Sequence, residues 1–177
     1  DKRALCQDGY ARLDMKYDER GNKIKELYFG TDGKPVQMKN GVSRTTIKYD
    51  ERGNMIEVAC LGPDGKPTFH KSGYAKFTMK YDERGNKTEE AYFGVDDKPS
   101  LCRNGFSRVI WKYDPRGNQI EVINFGINGE PVLNKSGYAS QVKKYNEYGN
   151  VIEEAYFGAD GKPAANKDGY AGIVRRY

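Results

Sequence analysis

Along Tyr74–Asp82 the chain alternates strictly, with Ala75, Phe77, Met79 and Tyr81 separated by Lys76, Thr78 and Lys80. A period of two predicts a β-strand with one apolar and one wet face. A second long strand is expected over Asn86–Gly94, and a third, short one near Lys98–Arg103. That third piece carries Pro99, which confines it to an edge or to poor pairing. Between the first two lies Asp82-Glu83-Arg84-Gly85-Asn86. Asp suits the first position of a type I turn and Gly the fourth, and such a turn followed by a left-handed Gly closes a G1-bulge hairpin. A two-residue Arg-Gly loop would instead force Arg to positive φ. In the G1 register Ala75, Phe77, Met79 and Tyr81 share the core face with Ala91 and Phe93, leaving Lys76 and Lys80 on the wet face with Glu89 and Tyr92. Tyr17, Met15 and Leu13 are grouped with Leu27 and Phe29 by the same rule, and Tyr113, Trp111 and Val109 with Val122 and Phe125.

The pattern recurs every 32 residues. "KYDERGN" stands at Lys16–Asn22, Lys48–Asn54 and Lys80–Asn86, followed by "KYDPRGN" from Lys112 and "KYNEYGN" from Lys144, and a sixth copy would begin at Tyr177. The chain is therefore one array over 1–177: a half-repeat 1–16 and repeats 17–48, 49–80, 81–112, 113–144 and 145–176. All but one of the 21 glycines fall at four positions of the repeat, which fixes backbone corners by period. The second corner is Asp32-Gly33 and its copies, a strong hairpin signal that weakens to Asp96-Asp97 in the third repeat. The third is Asn40-Gly41 and its copies.

Three corners predict three strands per repeat, so each repeat would enter its neighbour reversed and the true unit would be 64 residues. The sequence alternates accordingly, "KELYFG" and "EEAYFG" in odd repeats against "IEVACLG" and "IEVINFG" in even ones. Duplication of an ancestral pair would leave the same trace. The expected fold is all-β, tandem 32-residue repeats forming an elongated antiparallel β-hairpin array. The alternative is a parallel β-solenoid, which would stack Lys16, Lys48, Lys80 and their copies about 4.8 Å apart, and likewise Arg20, Arg52 and Arg84. Like charges so opposed are destabilising, which favours the array. One hairpin buries too little by itself, so at least three repeats must pack together.

Composition narrows the function. Mean hydropathy is -0.89 with 31% charged residues, yet 14 Tyr, 7 Phe and 1 Trp argue for a folded chain with a thin core. The net charge of +5 is spread through every repeat, with no basic stripe to read nucleic acid. No apolar run spans a membrane. There is no signal peptide or initiating Met, so the chain reads as part of a larger protein, with a cell-surface or secreted address slightly favoured. Cys6, Cys60 and Cys102 sit at variable positions and read as free thiols. His70, the sole histidine, stands where other copies have Met, Cys or Asn, which argues for packing over catalysis. No nucleophile elbow, Walker loop or zinc spacing occurs, and the acidic turns lack the oxygen density of a calcium loop, so no enzyme, cofactor or metal is expected.

The "YDERGN" and "YDPRGN" motifs with a following "DGKP" resemble YD repeats of the RHS type, the hairpin repeats of bacterial cell-surface and toxin-shell proteins and their animal relatives. The resemblance implies a non-catalytic structural and interaction module that spaces or presents partner domains and binds a macromolecule, protein or polysaccharide, with self-association open. The period of 32 departs from the shorter, less regular YD repeat. A second resemblance is to the aromatic repeats that bind glucans and choline in bacterial walls, seen in Tyr28-Phe29-x-x-Asp32-Gly33 and Tyr156-Phe157-x-x-Asp160-Gly161. It implies the alternative of a carbohydrate- or cell-wall-binding module, with Tyr10, Tyr74, Phe106, Tyr138, Tyr170, Tyr28, Tyr92 and Tyr156 as stacking platforms.

Because neighbouring repeats supply most of the burial in such arrays, removal of 145–177 should weaken the fold gradually, whereas an isolated 32-residue repeat should not fold. Cooperative thermal unfolding of the single-repeat peptide would refute this.

Overall fold

The computed structural model describes residues 5–176, so the first four residues of the half-repeat and the sixth start at Tyr177 lie outside the described residues. Eleven strands occur in the order β1 (Arg12–Tyr17), β2 (Lys23–Phe29), β3 (Arg44–Tyr49), β4 (Met55–Leu61), β5 (Lys76–Tyr81), β6 (Lys87–Phe93), β7 (Arg108–Tyr113), β8 (Gln119–Phe125), β9 (Ser140–Tyr145), β10 (Val151–Phe157) and β11 (Gly172–Val174). Hydrogen bonding follows that same order in one antiparallel sheet, and no helix occurs among the described residues. By contacts the chain divides into two units, one running to Met79 and including Tyr92–Lys98, the other comprising Lys80–Ala91 and the residues from Pro99 onward. Each unit repeats the same hairpin geometry.

The first corner is the expected G1 hairpin. Gly21 N–H donates to Asp18 O at 3.1 Å, Asp18 N–H donates to Asn22 O at 2.9 Å, and Gly21 has φ +83°. The other two corners repeat that pattern rather than forming two-residue hairpins. Gly33 N–H donates to Gly30 O and Gly30 N–H to Lys34 O, while Gly41 N–H donates to Met38 O and Met38 N–H to Val42 O. Each corner thus needs one left-handed residue at its fourth position. Asp97, which replaces the Gly of the second corner, has φ +64° and is the one non-glycine with positive φ among the described residues.

Two expectations are corrected. Each repeat has two strands, because the third segment is reduced to isolated bridges at its proline: Phe29 to Pro35, Leu61 to Pro67, Phe125 to Pro131 and Phe157 to Pro163. Proline has no N–H to continue a ladder. With an even strand number, successive repeats enter in the same direction, and 32 residues is the structural unit. The face assignment is also shifted. In β3–β4 the register runs Arg44–Leu61, Thr45–Cys60, Thr46–Ala59, Ile47–Val58 and Lys48–Glu57, then slips to Tyr49–Met55. The slip leaves Ile56 unpaired, as it does Ile24, Ile120 and Ile152 in their hairpins. A bulge after the turn turns every later residue of the second arm over. Leu13 therefore faces Tyr28, not Leu27 and Phe29. Phe77 likewise packs with Tyr92, 6.2 Å between ring centroids, while Lys76 lies over Phe93 at 4.9 Å. Trp111 does face Val122 as expected, but Phe125 opposes Arg108.

The resulting covered face holds Tyr28, Val58, Cys60, Met79, Val109 and Tyr156, all buried, while the opposite face mixes charged with apolar residues, Arg44 beside Leu27 and Leu61 for example. On that opposite face Lys48 meets Glu57 at 2.8 Å, Lys80 meets Glu89 at 2.8 Å, Lys112 meets Glu121 at 2.6 Å and Lys144 meets Glu153 at 2.7 Å.

Two glycines separate backbone strain from collision. A Cβ at Gly53, φ +85°, would meet nothing within 4 Å, so Gly53→Ala should cost only the left-handed penalty of about 1–2 kcal/mol. At Gly41, φ +92°, a Cβ would stand 2.6 Å from the carbonyl oxygen of Phe69, so Gly41→Ala should lower the melting temperature further. Equal losses in thermal unfolding would contradict the collision.

Candidate functional site

Neighbouring hairpins share few ladder bonds, and the recurring heptapeptide builds the rest of the joint. Its Asp closes its own turn: Asp18 Oδ1 accepts from the amides of Arg20 (3.0 Å) and Asn22 (2.8 Å), and Oδ2 accepts from Asn22 Nδ2 at 3.0 Å. Asp50, Asp82 and Asp114 repeat this set. The Arg reaches forward. Arg20 Nη1 donates to Glu51 O at 2.6 Å, Arg116 Nη1 to Glu147 O at 2.7 Å, and Arg84 Nη1 to Pro115 O. The Tyr reaches back, Tyr49 Oη donating to Lys23 O at 3.0 Å, Tyr113 Oη to Lys87 O at 2.8 Å and Tyr145 Oη to Gln119 O at 2.8 Å. Burial first, and then the charge of Asp82 or Asp114, holds the Tyr113 and Tyr145 hydroxyls above the usual tyrosine range, so both remain donors.

At the opposite ends of the strands the third corners form their own ladder of amide-to-carbonyl bonds. Lys39 N–H donates to Asp8 O at 3.3 Å and Lys71 N–H to Asn40 O at 2.7 Å; in the second unit Lys135 donates to Asn104 and Lys167 to Ser136. After the corner comes an Ala or Ser, and Ser43, Ala75 and Ala139 are each clamped between two strands. Ser43 donates to Leu61 O and accepts from Tyr28 N–H, and Ala75 donates to Phe93 O and accepts from Cys60 N–H. Ser43 is 0% exposed, Ala75 2% and Ala139 1%, so no larger side chain fits there. Sequence reasoning missed this splice, although the signal was present: Ala11, Ser43, Ala75, Ser107, Ala139 and Ala171 admit only the two smallest side chains with a Cβ.

The aromatic residues singled out from sequence are brought together in pairs. Tyr10 meets Tyr28 edge-on at 5.1 Å, Tyr74 meets Tyr92 at 5.2 Å and Tyr138 meets Tyr156 at 5.0 Å. Phe106 is 8% exposed and Tyr170 56%. Tyr28 Oη donates to Glu26 at 2.8 Å, and burial followed by that carboxylate raises its pKa. His70 stacks on Tyr74 at 5.3 Å while its Nδ1 accepts from Ser72 N–H at 3.1 Å, and burial followed by Lys71 lowers its pKa. The three cysteines are free, and burial pushes the Cys60 thiol up to about 11. Among the described residues no cluster of His, Cys, Asp and Glu has the form of a metal site.

No family model matches the chain, and the comparison with curated proteins gave no match. Among solved structures it is similar to TcdB2-TccC3 without its hypervariable C-terminal region, with a TM-score of 0.53 and 13% identity over 91% of this chain. A structure of TcdB2-TccC3 is matched over 97% of this chain at 12% identity, with a TM-score of 0.39. This chain spans 8% and 9% of those two chains. The likeness is one of fold, and the repeated antiparallel hairpin array is consistent with the YD-repeat resemblance of the turn motif.

The turn aspartates should make each first corner acid-sensitive. Asn22 Nδ2 first, then the turn amides and Arg20, hold Asp18 below the usual carboxylate range, and the same sets act on Asp50, Asp82 and Asp114. A depressed folded pKa gives stability that is full above the unfolded value of about 3.9 and is lost as pH falls through the folded one. Asn146 already makes the two amide bonds without a titrating group, at 3.0 and 2.9 Å. The Asp50→Asn/Asp114→Asn variant should therefore lose less stability between pH 5 and pH 2 than the parent. Parallel stability curves over that range would contradict it.

Proposed function

We propose that the chain is a non-catalytic structural and interaction module, a hairpin array that spaces or presents partner domains and offers a repeated surface to a macromolecular partner. One observation carries this reading. The polar side chains that recur from copy to copy are spent within the array: Arg20 on Glu51 O and Tyr49 on Lys23 O of the adjoining hairpin, and Asp18 on its own turn. A site that handled a substrate would keep such groups converging on open space. The likeness of fold to TcdB2-TccC3 supports a structural repeat module.

The eight aromatic positions belong, in this reading, to packing between repeats. Support comes from the ring pairs at 5.0–5.2 Å and from the burial of Tyr28, Phe106 and Tyr156. Replacing Tyr74 and Tyr138 with Ala should then lower the melting temperature by an amount equivalent to about 1–3 kcal/mol per half-buried ring, with no change in retention on a glucan or wall-polysaccharide column. Selective loss of retention in a double variant of undiminished stability would replace the scaffold by the carbohydrate-binding alternative.

A further inference from the structure

The charged face follows one rule in four hairpins and breaks it in the first. Where Lys48 opposes Glu57, Lys112 opposes Glu121 and Lys144 opposes Glu153, Lys16 directly opposes Lys25. Two ammonium groups facing each other across an antiparallel pair repel. The neighbouring strand offers no relief, because Lys25 next faces Thr46, and Leu27 faces Arg44 one step along the same face. The acidic side chains of β1–β4 are already paired: Asp14, which opposes Leu27 on this same face, with Arg12 at 3.1 Å, Glu26 with Lys23, and Glu57 with Lys48 at 2.8 Å. Arg44 lies between Lys25 and the second corner, its Nε buried and without a hydrogen-bond partner, its Nη1 beside Gly65. Three cations on three adjacent strands are left without a salt bridge among the described residues, the carboxylate of Asp14 on that face being held by Arg12.

We infer that Lys16, Lys25 and Arg44 form a docking site for an acidic segment of a partner protein. This deepens the interaction reading above and rests on it. The choice of occupant follows from the other hairpins. At the equivalent place each holds a carboxylate 2.6–2.8 Å from the first-arm lysine, so the ladder is already shaped for that group. Lys25 removes the carboxylate from this chain and adds a second ammonium to receive one from outside. A Glu or Asp side chain entering between Lys16 and Lys25 restores the pairing and relieves their repulsion. An acidic residue one step along an extended peptide then meets Arg44 across Leu27, whose apolar side chain lies on the same face. The opposed cations are thus an incomplete ion pair, completed by the partner.

The test uses the full chain and a fluorescein-labelled polyglutamate peptide, read by anisotropy at low ionic strength, where exposed charges are least screened. The parent should bind, and affinity should fall as salt is added. Lys25→Glu, which restores the pairing of the other hairpins, should weaken binding by roughly tenfold or more, because it replaces an attraction for the peptide carboxylate by a repulsion. Its melting temperature should not fall. Lys16→Glu provides the same reversal from the facing strand if Lys25→Glu fails to fold. Glu57→Lys, which recreates the opposed pair beside Lys48, should add a second site. Absence of binding by the parent, or unchanged affinity in either reversal variant, would overturn the proposal. So would tighter binding of an oligothymidylate than of polyglutamate, which would assign the cluster to a nucleic-acid backbone. None of these outcomes alters the stability loss expected of the tyrosine variant, so the two readings fail separately.

Discussion

Backbone carbonyls at the ends of the strands decide whether one hairpin can hold the next. Within a hairpin the arms β3 and β4 pair over six residues of β3, whereas β2 and β3 of successive hairpins pair only at Lys25–Thr46, Glu26–Thr45 and Leu27–Arg44. The shorter ladder leaves the turn end of each joint open. There Glu51 O and Lys23 O would point at solvent or at nothing, and Arg20 and Tyr49 take them up. At the far end the clamped Ser43 and Ala75, with the corner bonds of Lys39 and Lys71, finish the same task through the backbone alone. A net hydrogen bond of this kind contributes about 1 kcal/mol, so several per joint are comparable with the apolar burial a thin core can offer.

Local rules made the hairpin legible and left its faces in doubt. Asp, Gly and Asn at fixed offsets declare a type I turn with a left-handed fourth residue, and Gly21 adopts it. The unpaired Ile24 carries no comparable signal: a bulge needs only one residue too many in an arm, and nothing in "GNKIKEL" marks which one. That single residue exchanged the faces of Tyr28 and Phe29. The third corner was read correctly, but the segment between it and Pro35 was credited with a strand its proline does not sustain. As for the candidate site, the aromatic positions were singled out because rings are conspicuous. The splice at Ala11, Ser43 and Ala75 was missed because smallness looks like absence of information.

The two faces of the strands divide the labour. Tyr28, Met79, Val109 and Tyr156 are buried on one side, where Tyr10 and Tyr138 of the third corners lie against Tyr28 and Tyr156. The other side is kept wet by lysine–glutamate pairs at 2.6–2.8 Å, which contribute little to stability when exposed but hold an open sheet face in solution. The flat hydrophobic face that would invite aggregation is thereby denied to neighbouring molecules.

The forward bond of the arginine ends on a main-chain oxygen, and the residue that supplies it is Glu51 in one joint, Pro115 in another and Glu147 in a third. The tyrosine is equally indifferent, donating to the carbonyl oxygen of Lys23, Lys87 or Gln119. A coupling written against the peptide group needs no matched partner side chain. A copy that carries the Arg and the Tyr can therefore follow another whatever side chains that neighbour presents, and a segment duplicated in frame arrives with its connectors already compatible. Length in such an array is free to change by whole repeats, while the outward residues of each copy drift independently.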